Sequence, residues 1–293
     1  MGAEGAMEME GTPHPAAAPR QRLLATARAA GALGPLERLA YWRSRLRYDR
    51  ANRRFAARYP RRPMPPLWWM HDMYAHTSYR RYWRSGRADA EAVGALIAEH
   101  LGPGRWRVAE WGCGMGRVVR HLAKTHESRG FDYNPDAVRW CSENLRGAYA
   151  VNGLMPPLPA KDAGLDAVFA ISVLTHLSAA AHAAWAAELA RVVRPGGLVL
   201  LTVHGAPGPG QLLPDEAALF ARGGIVVRGG VAEGGRTYAA YQPEAYMRRL
   251  LGEAGLEPLA PPRQALGQTL WAARRRSGAS QLQTPRNRGQ SAP

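Results

Sequence analysis

The stretch Val108-Ala109-Glu110-Trp111-Gly112-Cys113-Gly114-Met115-Gly116-Arg117 decides the fold. A short apolar run carries a carboxylate near its end and passes into three glycines at alternate positions. Glycine takes positive φ without steric cost and lets the backbone pass close beneath a ligand. Asp132 stands twenty residues beyond Gly112, at the end of a second predicted strand. A carboxylate there can accept hydrogen bonds from ribose hydroxyls. A Gly-rich turn together with that acid points to an adenosine ligand. A dinucleotide fingerprint would need its third glycine at position 117, which is Arg117. Glu110, aimed into the turn, would repel a pyrophosphate and suit an ammonium group.

Working outward, strands and helices alternate. Val93, Leu96, Ile97 and Leu101 share a helical face stopped by Gly102-Pro103. Strands are predicted at 106–111, 130–132, 148–151, 165–172 and 198–203, with a helix from Arg117 to Ala123. Asn134-Pro135 caps and opens another helix, and Ser178 caps a long Ala-rich one broken by Arg194-Pro195-Gly196-Gly197. A hairpin over 225–228 and 237–241, a helix from Pro243 and two last strands near 256–259 and 267–273 complete the pattern. This alternation predicts an α/β fold, a mostly parallel sheet with helices on both faces. Ligands of such sheets bind beyond the carboxyl ends of the strands.

Four other segments are expected. Residues 1–20 and 277–293 read as disordered tails. Residues 21–87 form a helical, Arg- and aromatic-rich extension or cap whose aromatic segment ends at Gly86, and residues 205–242 an insertion, expected to cover the acceptor site, within a domain of 88–276. The net charge of +16 is concentrated in the flanks, which suits nucleic acid or anionic lipid. Solvated arginines on helix surfaces are the plainer reading, because no basic run exceeds three residues. Two cysteines, Cys113 and Cys141, cannot build a disulfide scaffold and fit a reducing, cytoplasmic setting. No apolar run reaches the roughly 18 residues of a membrane span, and no membrane partner is expected. The histidines are scattered without ligand spacing, so no metal site is expected.

Residues 88–204 resemble a class I S-adenosylmethionine-dependent methyltransferase. The resemblance is carried by Glu110 to Gly116, by Gly130-Phe131-Asp132-Tyr133-Asn134, by Leu165 to Leu177 and by Arg194-Pro195-Gly196-Gly197, in that order. It implies a Rossmann-like seven-stranded sheet with an antiparallel last strand, and S-adenosylmethionine as cofactor. It further implies that Gly112, Gly114 and Gly116, with Cys113 in the same turn, line the methionine part. Asp132 and Tyr133 would meet the ribose, and Ser172 and Val173 would lie beneath the cofactor. Where many relatives place an acid for the adenine amino group, this chain has Asn152, followed by Gly153 and Leu154; an Asn carbonyl still accepts. Tyr82 in the aromatic segment matches a cap tyrosine that closes over the cofactor.

Methyl transfer needs the acceptor aligned at about 3–3.5 Å, and a hydroxyl acceptor needs a base. His176 and His204 follow the fourth and fifth strands and are the candidate catalytic residues. The stretch after the fourth strand, Ser172-Val173-Leu174-Thr175, is unlike the Asp/Asn-Pro-Pro-aromatic motif of amino-directed nucleic-acid enzymes. Neither cysteine is placed to attack a cytosine. The resulting expectation is methylation of a small-molecule acceptor, most simply at oxygen of a sugar or secondary metabolite. The rival readings are an RNA or nucleoside methyltransferase using the basic N-terminal region, and a non-catalytic cofactor-binding scaffold.

Overall fold

The computed structural model describes Thr26, residues 33–208 and residues 210–277. The tail expected at 1–20, and all but the first residue of the one expected at 277–293, lie outside the described residues. Among the described residues three helices precede the sheet: α1 (Leu33–Arg58), α2 (Leu67–Tyr74) and α3 (Tyr79–Leu101). Then follow β1 (Arg107–Trp111), α4 (Val119–Leu122), β2 (Glu127–Asp132), α5 (Pro135–Asn144), β3 (Ala148–Val151) and β4 (Leu165–Ala170). After a 3-10 turn at Leu174–His176 come α6 (Ala179–Val192), β5 (Val193–Val203), α7 (Pro214–Ala221), β6 (Val226–Arg228) and β7 (Ala239–Tyr241). The chain closes with α8 (Glu244–Glu253), β8 (Leu256–Pro258), β9 (Arg263–Ala265) and β10 (Gln268–Arg275).

The main sheet runs β3-β2-β1-β4-β5-β10-β8, with β9 beside β10. Strands β1 to β5 are parallel, and β10 is antiparallel to β5. The seven strands on the main path and the antiparallel β10 match the expected sheet. The eighth, β9, is a three-residue hairpin partner without apolar alternation. The order reverses between β1 and β4, the switch point at which such sheets bind ligands.

Each face of the sheet buries its own helices, as a doubly covered sheet requires. On one face α6 and α8 present Trp185, Leu189, Met247 and Leu251 to Val168, Leu201 and Trp271. On the other, α3 presents Val93, Leu96 and Ile97 to Val108, Phe169 and Leu200. Burying each such side chain contributes about 1.5–3 kcal/mol. At the strand ends remote from the Gly-rich turn, Asp166 accepts from Arg107 (3.0 Å) and Arg194 (2.8 Å) and ties β4 to β1 and β5. Burial alone would push the Asp166 carboxyl up, but the two guanidiniums hold it down at about 2.

Several boundaries differ from the sequence reading. No break occurs at Gly86: α3 continues through it, and the glycine lets the helix press on the backbone of Arg117, where a Cβ would stand 2.1 Å from the carbonyl oxygen. The helix expected from Arg117 shrinks to α4. Strand β2 begins at Glu127, its polar first half lying away from the site. The segment Arg194 to Gly197 is part of β5, absorbed by a register irregularity opposite Leu165–Ala167. The expected hairpin of the insertion is β6–β7; its helix α7 was not anticipated.

Candidate active site

The carboxyl ends of β1 to β4 open into a cavity of about 330 Å³. Gly112 N–H and Cys113 N–H both donate to the Phe131 carbonyl, at 2.8 and 3.0 Å, which folds the glycine turn back over β2. Gly112, Gly114 and Gly116 all have positive φ, +74°, +50° and +67°. Space demands glycine as well. A Cβ on Gly112 would stand 2.3 Å from Val173 Cγ2, and one on Gly116 2.5 Å from Leu145 Cδ1. A Cβ on Gly114 would stand 2.9 Å from the Tyr74 hydroxyl, so the cap helix α2 rests directly on the turn.

Asp132 joins the turn to the start of α5. One carboxylate oxygen accepts from Gly114 N–H (2.7 Å) and the other from Asn134 N–H (2.9 Å). Each oxygen keeps a second lone pair for a ligand. Burial pushes its pKa up, against those backbone hydrogen bonds. At the end of β3, Asn152 donates from Nδ2 to the Gly153 carbonyl (2.6 Å), and its Oδ1 is buried without a partner. An orphaned acceptor on a cavity wall is a place for a ligand donor.

The cavity brings together Gly112, Gly114, Asp132, Tyr133, Asn152, Gly153, Leu154, Ser172, Val173 and His176. Five sequence-predicted residues do not line it. Tyr82 is wholly buried; its hydroxyl donates to the Met115 carbonyl (2.8 Å) and supports the turn from behind. The Glu110 carboxylate accepts from Val119 N–H (2.8 Å) and anchors α4. Burial pushes its pKa up to about 8. Cys113 is buried beneath the turn, and Gly116 faces α5. His204 packs its ring on Tyr241, with centroids 4.9 Å apart.

His176 is held differently. Its Nδ1 lies 2.8 Å from the Tyr238 carbonyl. A carbonyl only accepts, so Nδ1 carries the proton and Nε2 is the ring's acceptor. Burial lowers the His176 pKa, and the imidazole is neutral at pH 7.

Sequence reasoning pointed to Asp72 and to the insertion as cover, but missed most of the wall and roof residues. Arg117 lines the cavity and donates to Asp89 (2.5 Å) and Ser85 (3.2 Å) on α3. Its place immediately after the third glycine was a usable signal. Glu37 of α1, Asp72, Met73 and Tyr74 of α2, and Arg236 of the insertion close the top. Arg236 pairs with the Glu37 carboxylate and donates to the Asp72 carbonyl (2.9 Å). These contacts span up to 199 positions, and nothing local in the sequence announces them. Among the described residues no group of His, Cys, Asp and Glu could hold a metal ion, and no helix is long and apolar enough to cross a membrane.

This arrangement has known counterparts. Residues 108–197 match a methyltransferase domain family. A fatty-acid O-methyltransferase of Mycolicibacterium smegmatis is 37% identical over 101 residues, which is 33% of this chain. The chain thus matches only 36% of that protein's length. The S-adenosylmethionine-bound structure of an amino pentose methyltransferase from Micromonospora echinaspora superposes with a TM-score of 0.51 at 17% identity, over 67% of this chain and 96% of that one. DesVI of Streptomyces venezuelae gives 0.50 at 16% identity, over 66% and 94%. At such identities the two structures speak for the fold. Residues 108–197 thus match a methyltransferase domain, and the strand order and glycine turn are those of the Rossmann-like fold that the two structures share.

Proposed function

We propose that the protein transfers a methyl group from S-adenosylmethionine to an oxygen of a small-molecule acceptor, with His176 as general base. One observation carries the reading: His176, its tautomer set by the Tyr238 carbonyl, shares a cavity with Asp132 and the unpartnered Oδ1 of Asn152. The residues fit the cofactor. Asp132 would accept from the ribose hydroxyls and Asn152 Oδ1 from the adenine amino group. Gly112 and Gly114 would admit the chain of the ligand, and Arg117, paired with Asp89, is the cation on the wall nearest its carboxylate. When bound, the cofactor supplies an activated methyl on a sulfonium leaving group.

The chain's own part is alignment and proton transfer. Ser172 and Val173 floor the cavity, and Met73 and Tyr74 cover it, which excludes water from a reaction that disperses charge. His176 Nε2 takes the acceptor's hydroxyl proton, while the Nδ1–H bond to Tyr238 holds the ring and stabilises the imidazolium. A carboxylate acceptor, such as the relative's name indicates for that enzyme, would use the same cavity without the proton transfer. A cytoplasmic setting suits the two buried free thiols.

An acceptor screen tests this. Release of S-adenosylhomocysteine is followed for sugars, phenols and fatty acids with wild type and His176→Gln. Turnover of a hydroxyl acceptor, lowered about 10²–10⁴-fold by the substitution, supports the reading. Full activity of His176→Gln on a hydroxyl acceptor removes the base, and turnover on RNA alone overturns the acceptor class.

A further inference from the structure

The roof of the cavity and the imidazole of His176 are parts of one hydrogen-bonded unit. The loop 233–238 is bonded to the segment after β4 at three points. The Glu233 carboxylate accepts from Ser178 N–H (2.6 Å), Gly234 N–H donates to the His176 carbonyl (2.9 Å), and the Tyr238 carbonyl accepts from His176 Nδ1 (2.8 Å). Between these points the chain makes a tight turn closed by Tyr238 N–H to the Gly235 carbonyl (2.9 Å). Arg236 and Thr237 are its two central residues. Arg236 reaches away from the turn to the Glu37 carboxylate on α1 and to the Asp72 carbonyl on α2. Its side chain is 27% exposed and that of Glu37 33%, so this charged contact is partly shielded from solvent.

A loop containing Gly229, Gly230, Gly234 and Gly235 has large conformational freedom to lose. The three bonds to the segment after β4 fix the stems of the loop, and the Arg236 contacts fix its tip. Arg236 and Tyr238 belong to one four-residue turn, so the anchoring of the guanidinium bears on the backbone whose carbonyl meets His176. The tautomer of a histidine is set by the bond its other nitrogen makes.

We propose that Arg236 is a positioning residue: docked on Glu37 and Asp72, it holds the Tyr238 carbonyl against His176 Nδ1 and so keeps Nε2 free of a proton and facing the acceptor. Closing the roof and arming the base are then the same event. Arg236 also lies close enough to His176 for its charge to disfavour the imidazolium, secondary to burial. The other titratable group beside that ring is His204, itself held neutral mainly by burial. The catalytic meaning of this device rests on His176 being the base; the structural link from Arg236 to the imidazole does not.

The test needs no acceptor. The full chain is labelled with ¹⁵N-histidine and its ring nitrogens are observed by long-range ¹H–¹⁵N correlation, His176 being assigned by its loss in His176→Gln. The wild type is expected to show His176 with the proton on Nδ1. In Arg236→Ala and in Glu37→Gln that population falls at least twofold, through proton transfer to Nε2 or averaging between the two forms. Arg236→Lys, which keeps the charge, recovers most of it. His182 is the internal control for folding, since its ring is locked between the Tyr246 hydroxyl (3.0 Å) and the Leu174 carbonyl (2.6 Å) in the core. Unchanged His176 nitrogens in both Arg236→Ala and Glu37→Gln, with His182 intact, would overturn the proposal. The reading of the site fails by a different result: no calorimetric binding of S-adenosylmethionine by the wild type.

Discussion

At Gly112 two requirements coincide: a backbone at φ +74° and a neighbour, Val173 Cγ2, 2.3 Å from where a Cβ would stand. Gly112→Ala should therefore destabilise the protein by about 1–3 kcal/mol. Val173→Ala in the same chain should return part of that loss by removing the clash, as chemical denaturation would show; the φ strain remains. Glu110 makes a pH prediction. Its carboxyl is pushed up to about 8 from an ordinary 4.5 by burial. An acid with a raised folded pKa adds stability that is full below about 4.5 and is lost as pH climbs through about 8. Thermal melts between pH 5 and 8 should show the wild type losing stability relative to Glu110→Gln. Glycine positions and Asp132 were legible because few residue types satisfy such geometry. The aim of the Glu110 carboxylate was not, because the backbone N–H of Val119 that captures it follows from how short α4 is.

Helix α3 shows how an element can carry a glycine without ending. Its first turns hold Tyr82 under the glycine turn, and its later turns pack Val93, Leu96 and Ile97 on the sheet. Gly86 lies between, with room for nothing larger against the Arg117 carbonyl. Gly86→Ala should lower the melting temperature and weaken cofactor binding together, since it moves the helix off the turn that Arg117 and Gly114 belong to. A loss of stability with unchanged cofactor affinity would show that α3 is a support only. In the sequence Gly86 looked like a boundary, because a lone glycine marks a break or a close approach and local pattern does not separate the two. Strands β1, β3 and β4 and helices α5, α6 and α8 were legible, having either an apolar run or a cap residue such as Asn134 or Ser178. Helix α7 and strand β9 were not; α7 buries no residue fully and β9 lacks an apolar face.

Across the molecule, two charged clusters sit at opposite ends of the sheet and do different work. At the amino ends of the central strands Asp166 binds Arg107 and Arg194. Its folded pKa of about 2 lies below the ordinary 3.8, so the stability it adds is full above about 4 and is lost as pH falls toward 2. Asp166→Ala should cost about 2–3 kcal/mol at pH 7, and the difference from wild type should vanish in melts near pH 2. At the near end Arg236, Glu37 and the Asp72 carbonyl close a roof between the N-terminal helices and the insertion. An insertion after the fifth strand was legible; its partners on α1 and α2 were not, being fixed only once the whole chain is folded. Calorimetric titration of wild type and Asp132→Ala with S-adenosylmethionine, S-adenosylhomocysteine and NAD decides whether Asp132 organises an S-adenosylmethionine site in this cavity. Both sulfur ligands should bind and NAD should not, and Asp132→Ala should weaken binding by about 1.5–3 kcal/mol, roughly ten- to hundredfold. Equal affinity in the variant, or a preference for NAD, would mean that the cavity is not such a site.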